Sequence, residues 1–204
     1  LQLLSALVFS HATPHINLPI MTFVCNPSPH LSDAQKQMYD LTTNRIIVSE
    51  LANFGDMHQF VSKTAKKWEN SATGELIWKV MLFQILSALA TIHEYYPNFL
   101  HNDLKPDNIL VKSTSNTVSD NKFFQYRVNG KTFYIPDVGF QLLIWDFDFA
   151  TIAGTIDNDK LIVMINEEDA NLIAHKNQYY ELRMCIGTLY RYWGDYMPHK
   201  IHYW

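Results

Sequence analysis

Four residues carry the chemistry available to this sequence: Asp103, Lys105, Asn108 and Asp146. The first three stand in Phe99-Leu-His-Asn-Asp-Leu-Lys-Pro-Asp-Asn-Ile-Leu-Val111, a polar stretch closed by an apolar run. A carboxylate, an ammonium and an amide at that spacing suit phosphoryl transfer. The Asp103 carboxylate takes or orients a hydroxyl proton, the Lys105 ammonium meets phosphate charge, and the Asn108 amide oxygen can ligate Mg²⁺. Further on, the apolar run Gln141-Leu-Leu-Ile-Trp145 delivers Asp146. Its carboxylate is a hard oxygen ligand suited to the same cation.

The stretch around Asp103 resembles the catalytic loop of eukaryotic-type protein kinases, and Lys105 is the serine/threonine form of it. Gln141–Phe149 resembles the strand that delivers that family's metal-binding Asp-Phe-Gly, with Asp148 in place of the glycine. The two motifs occur in the family's order. The resemblance implies an α+β, protein-kinase-like fold, mostly the helical large lobe with a partial remnant of the small lobe. It implies ATP and Mg²⁺ as cofactors and a protein substrate offering serine or threonine. Asp103 and Lys105 would be catalytic, Asn108 and Asp146 would hold the metal, and His101 and Phe147 would pack the loops into place.

Such loops need a scaffold. Glu75–Tyr95 contains neither proline nor glycine, and Leu82, Ile85, Leu89 and Ile92 recur at helical spacing. This predicts a long central helix, capped by Ser71 or Thr73 and ending near Tyr96-Pro97. His93 is expected to face the core. Met21–Cys25 and Arg45–Ser49 read as strands, and Met57–Val61 as the start of a short helix. Lys63–Asn70 reads as a solvated surface. Residues 1–10 fit a helix end or a strand equally.

Between the strands and the helices lies Glu50-Leu-Ala-Asn-Phe-Gly-Asp-Met57, which resembles the kinase hinge. By that resemblance the Glu50 carbonyl and the Ala52 backbone would bind the adenine edge. Asp56 would sit near the ribose or the substrate, and Leu110 would form the floor under the adenine. Ser49 would guard the space behind the base, with a smaller side chain than is usual there. Asn102 precedes Asp103 where many regulated kinases have an arginine that pairs with an activation-loop phosphate. Glu181, in Tyr179-Tyr-Glu-Leu-Arg183, would stand in for the buried aspartate that anchors the catalytic loop.

The connection from Asn108 to Asp146 is long. It holds two β-prone runs, Phe123–Val128 and Lys131–Ile135, joined by Asn129-Gly130, a strong hairpin signal. An insertion over residues 113–140 follows, read as a surface flap. It resembles the extension found in haspin and in the serine/threonine kinases of large cytoplasmic DNA viruses, as does Thr13-Pro-His-Ile-Asn-Leu-Pro19. Beyond Ala150, Thr151–Asp159 reads as a turn-rich loop. Lys160–Ile165 is strand-like, Glu167–Asp169 opens a polar helix, and Asn177–Tyr190 is an apolar helix.

Composition bounds the rest. The 204 residues are 48% hydrophobic and 18% charged, which suits an ordered domain with a real core. A net charge of −4 gives no basic field for nucleic acid and no polybasic membrane patch. Cys25 and Cys185 form no disulfide framework and suit a reducing, intracellular setting. No stretch reads as a membrane segment, and His199 and His202 lack further ligands at metal-site spacing. No Gly-x-Gly-x-x-Gly and no Val-Ala-x-Lys occur. The expected organisation is a small-lobe remnant over residues 1–50 and a helical large lobe over 51–204, in a fragment or a protein that has lost most of its small lobe. Such a chain, by itself, would bind ATP poorly. A non-catalytic kinase-like scaffold and a small-molecule phosphotransferase are the competing readings.

Overall fold

The structure, a computed structural model, describes residues 2–25, 32, 44–114, 122–158 and 178–197. Helix α1 (Gln2–Phe9) opens the chain, followed by strand β1 (Pro19–Cys25), β2 (Asn44–Ser49), α2 (Met57–Trp68) and α3 (Ala72–Tyr95). Next come β3 (Phe99–Leu100), a 3-10 turn at Pro106–Asn108, β4 (Ile109–Ser113), β5 (Phe123–Val128) and β6 (Lys131–Pro136). The described elements end with β7 (Phe140–Ile144), β8 (Thr151–Ile152), α4 (Gln178–Trp193) and a last 3-10 turn, Gly194–Tyr196. The strands pair antiparallel in twos: β1 with β2, β3 with β8, β4 with β7 and β5 with β6.

Helix α3 is the core against which β5, β7 and α2 pack. Trp78, Met81, Ile85, Ala88 and Ile92 are all buried along it. Ser71, not Thr73, is its cap: the Ser71 hydroxyl accepts the Gly74 N–H at 2.9 Å. At the other end the Tyr96 N–H closes on the Ile92 carbonyl, and Pro97 follows. Among the described helices α3 alone is long and apolar enough to cross a membrane, and most of that stretch is buried by the fold. Its apolarity is therefore used in the core.

Helix α2 corrects the reading of Lys63–Asn70 as mere surface. The helix runs on to Trp68, burying Met57, Val61 and Ala65 at four-residue spacing while Lys66 and Lys67 face its negative C-terminal end. The polar residues outnumber the buried ones, so a narrow apolar stripe is easily missed. Gly74, buried in the first turn of α3, then packs tightly behind it. A Cβ on Gly74 would lie 1.9 Å from the Trp68 carbonyl oxygen, so the α2–α3 turn closes only around glycine.

The insertion forms the expected hairpin. Asn129 (φ +48°) and Gly130 (φ +72°) both adopt the left-handed region, as a two-residue primed turn requires. The hairpin's outer face is exposed, as a surface flap's would be, and its inner face is anchored on α3. Tyr126 is buried, its ring edge-on to Phe83 of α3 at 5.1 Å, and Phe133 packs on the same Phe83. Thr151–Asp159, read as a loop, contains β8, which pairs with β3 through Phe99↔Ile152 and Leu100↔Thr151. The expected elements Lys160–Ile165 and Glu167–Asp169 lie outside the described residues. The helix expected over Asn177–Tyr190 is α4.

Candidate active site

The loop between β3 and β4 is shaped by its own side chains. The Lys105 ammonium donates to both Asp103 oxygens, at 2.8 and 3.1 Å. The Asn108 amide nitrogen donates to the Asp103 carbonyl and to its Oδ2, both at 2.8 Å. Three residues predicted to work together are thus one hydrogen-bonded unit. The Asp103 contact holds Lys105 above its usual pKa, with neighbouring Asp107 and Asp146 adding to it. Because both partners of the Asn108 nitrogen are acceptors, the amide is oriented and its Oδ1 faces elsewhere.

Asp146 follows directly on β7. The Trp145 N–H donates to the Asn108 carbonyl at 3.0 Å, which ties the metal strand to the catalytic loop. Asp146 takes a left-handed backbone (φ +59°), as does Asn102 (φ +66°). Strained, side-chain-compatible positions of this kind concentrate where geometry is functional. Asp146 is near enough to raise the pKa of both Lys105 and His101. Its carboxylate has no hydrogen-bond or ion-pair partner among the described residues.

That pairing bears on a cation. An oriented amide oxygen and an unpaired carboxylate on adjoining loops are the oxygen donors that Mg²⁺ takes, and Mg²⁺ leaves its other positions to water and phosphate. No group of three histidine, cysteine or acidic side chains gathers among the described residues, so a closed all-protein metal cage is not built there. The donor set fits Mg²⁺ held jointly with a phosphate ligand.

Glu181 anchors the loop from α4, eighty positions away. Its buried carboxylate accepts the His101 N–H at 3.0 Å and the Asn102 N–H through its other oxygen. His101 itself is fully buried and donates from Nε2 to the Trp145 carbonyl at 2.9 Å. Burial pulls its pKa down, so the ring is neutral. Phe147 lies 5.1 Å from His101 and 6.4 Å from Phe99, the packing role expected of both rings.

Two contacts escaped sequence reasoning. The Asn102 side chain donates to the Phe149 carbonyl (2.9 Å) and the Thr151 hydroxyl (3.2 Å), joining the catalytic loop to the segment after Asp146. The motif alone marks Asn102 only as a missing arginine. The second is Glu50–Lys112, an ion pair at 2.5 Å, with the other Glu50 oxygen accepting the Leu18 N–H.

Of the expected hinge segment, Phe54–Asp56 lies along β4. Phe54 N–H donates to the Val111 carbonyl, Val111 N–H to the Gly55 carbonyl, and Asp56 bridges Leu110. Both Asp56 oxygens are engaged by Gln59, capping α2, so a ribose or substrate contact would have to share them. Ser49 ends β2, its hydroxyl 3.3 Å from the Asn17 amide and 3.4 Å from the Glu50 carbonyl. Ala52 closes a turn by accepting the Gly55 N–H.

The protein kinase domain family matches residues 25–155, and the chain belongs to that family. Serine/threonine-protein kinase R400 of Acanthamoeba polyphaga mimivirus is 35% identical over 93% of this chain and 44% of its own length. Serine/threonine-protein kinase R301 of the same virus is 35% identical over 48% of this chain and 24% of its own. Mouse haspin is 30% identical over 62% of this chain and 16% of its own. The chain spans less than half the length of each of these relatives.

Proposed function

We propose that this chain carries the catalytic centre of an ATP- and Mg²⁺-dependent kinase acting on serine or threonine hydroxyls of proteins. The observation that supports it most is the Asp103–Lys105–Asn108 unit with the Asp146 carboxylate beside it, unpaired among the described residues. Asp103 orients the acceptor hydroxyl and receives its proton as the oxygen–phosphorus bond forms. Lys105 turns its ammonium from Asp103 to the transferring phosphoryl oxygens. The bond from the γ-phosphorus to the bridging oxygen breaks, and the nucleoside diphosphate leaves. Asn108 and Asp146 would hold Mg²⁺, which when bound neutralises phosphate charge.

The adenine would lie against the hinge, between the Glu50 and Ala52 backbone and Leu110, with Ser49 behind the base. The protein substrate is supported by Leu104-Lys105-Pro106 and by the relatives named as serine/threonine-protein kinases. The test is transfer of labelled γ-phosphate by the purified full-length protein to a mixture of peptides and small alcohols, with and without Mg²⁺. Mg²⁺-dependent label on serine or threonine is the expected result. Label on small alcohols alone, or none, would overturn the reading.

A further inference from the structure

Two stretches left unused by the catalytic reading, Thr13–Pro19 and the insertion hairpin, meet each other at His15 and Tyr126. Both side chains are buried, their rings near-parallel, with the Tyr126 hydroxyl 3.0 Å from His15 Nε2. His15 Nδ1 lies 2.7 Å from the Leu142 carbonyl of β7. A carbonyl only accepts, so Nδ1 carries the hydrogen, Nε2 accepts, and Tyr126 donates. Burial agrees with these protonation states: His15 is lowered to about 4 and Tyr126 raised to about 12.

The contact matters because of what β7 does. One edge of β7 pairs with β4, and among the described residues the other meets no strand, only the isolated bridge from Ile16 to Ile144. Backbone groups on that outer edge must find partners elsewhere. The Ile144 N–H donates to the His15 carbonyl and the Ile144 carbonyl accepts the Asn17 N–H, at 2.8 and 3.1 Å. Buried Gln84 accepts the Leu142 N–H at 2.7 Å. Asp146 stands two residues beyond Ile144. The segment around His15 therefore fixes the outer edge of the strand that presents the metal ligand, and Tyr126 secures His15 from the far side.

We propose that Tyr126 is a positioning residue for Asp146, and that the insertion hairpin is a brace on the metal-binding strand. The proposal rests on the reading of Asp146 as a metal ligand. The hairpin's outward face (Gln125, Arg127, Tyr134) takes no part.

The test uses the full-length protein with Tyr126→Phe, which keeps the ring and removes only the donor, and Gln125→Ala as the control. In wild type, nitrogen NMR should show a neutral His15 with hydrogen on Nδ1. In Tyr126→Phe, the Asn17 and Ile144 amides should exchange about tenfold faster relative to the global rate of the α3 core, the scale of one lost hydrogen bond. The Mg²⁺ needed for half-maximal transfer should rise about three- to tenfold with kcat at saturating Mg²⁺ nearly unchanged, as for a residue that orients a ligand. Gln125→Ala should change neither.

Hydrogen on Nε2 in wild type, or unchanged Asn17 and Ile144 exchange in Tyr126→Phe, would overturn the brace. A raised exchange with an unchanged Mg²⁺ requirement would overturn its link to Asp146. If wild type shows no Mg²⁺-dependent transfer, the catalytic reading has failed, and the NMR and exchange measurements still decide the brace.

Discussion

Asp103 can be read from type and spacing alone, because the groups that orient it lie within the five residues that follow it. Lys105 and Asn108 reach it through short local geometry. Asp146 is legible for a different reason: an apolar run must end where its strand leaves the core. What spacing cannot show is that Asn108 presents nitrogen to Asp103, leaving oxygen for a cation. From that orientation, Asp146→Asn should weaken Mg²⁺-dependent nucleotide binding far more than metal-free binding, since it replaces a charged hard ligand by a neutral one. Calorimetry with and without Mg²⁺ checks this, and equal losses would mean a structural role. Glu181 was visible only as a position in a resemblance. Its bonds to His101 and Asn102 depend on how α4 crosses the loop, which no local pattern encodes.

The long helix and the hairpin are legible as elements, because a 3.6-residue period and an Asn-Gly turn are strong local signals. The pairs β3–β8 and the stripe of α2 are not: two-residue strands have no period, and three buried residues among twelve give a faint one. The β3–β8 pair carries a functional consequence. Neutral amides hold the segment after Asp146, Asn102 from one side and Asn158, through the Asp148 and Ala150 carbonyls, from the other. A phosphate is not needed to bring that segment to the catalytic loop. Phosphatase treatment of the active full-length protein should leave its rate unchanged. Asn102→Gly, which tolerates the same backbone, should lower it. Loss of activity on phosphatase treatment, regained on rephosphorylation, would contradict this. At the α2–α3 turn, Gly74→Ala forces a methyl against the Trp68 carbonyl. The net cost should be about 1–3 kcal/mol, the usual scale of overpacking, even after the gain in helix propensity. Thermal melting should show a drop of several degrees; an unchanged midpoint would mean that the turn relaxes.

At the scale of the molecule, buried neutral histidines link stability to pH. His15 is lowered from 6.5 to about 4, and His101 and His93 are lowered too, all chiefly by burial. Above pH 6.5 these rings are neutral whether the chain is folded or not, and they add no slope. As pH falls below 6.5 the unfolded chain takes up protons that the folded one refuses. Stability should therefore drop by about 1.4 kcal/mol per pH unit for His15 alone, down to about pH 4. Denaturant titrations of wild type and His15→Gln between pH 7 and 4.5 should differ by that slope, and parallel curves would contradict the buried, neutral ring.

The catalytic proposal itself turns on one residue. A positioned general base is worth about 10²–10⁴ in rate, so Asp103→Asn in the full-length protein should lower single-turnover phosphoryl transfer by that factor. Nucleotide binding and melting temperature should stay close to wild type. Transfer at a near wild-type rate by Asp103→Asn would contradict the assignment of this loop as the catalytic centre.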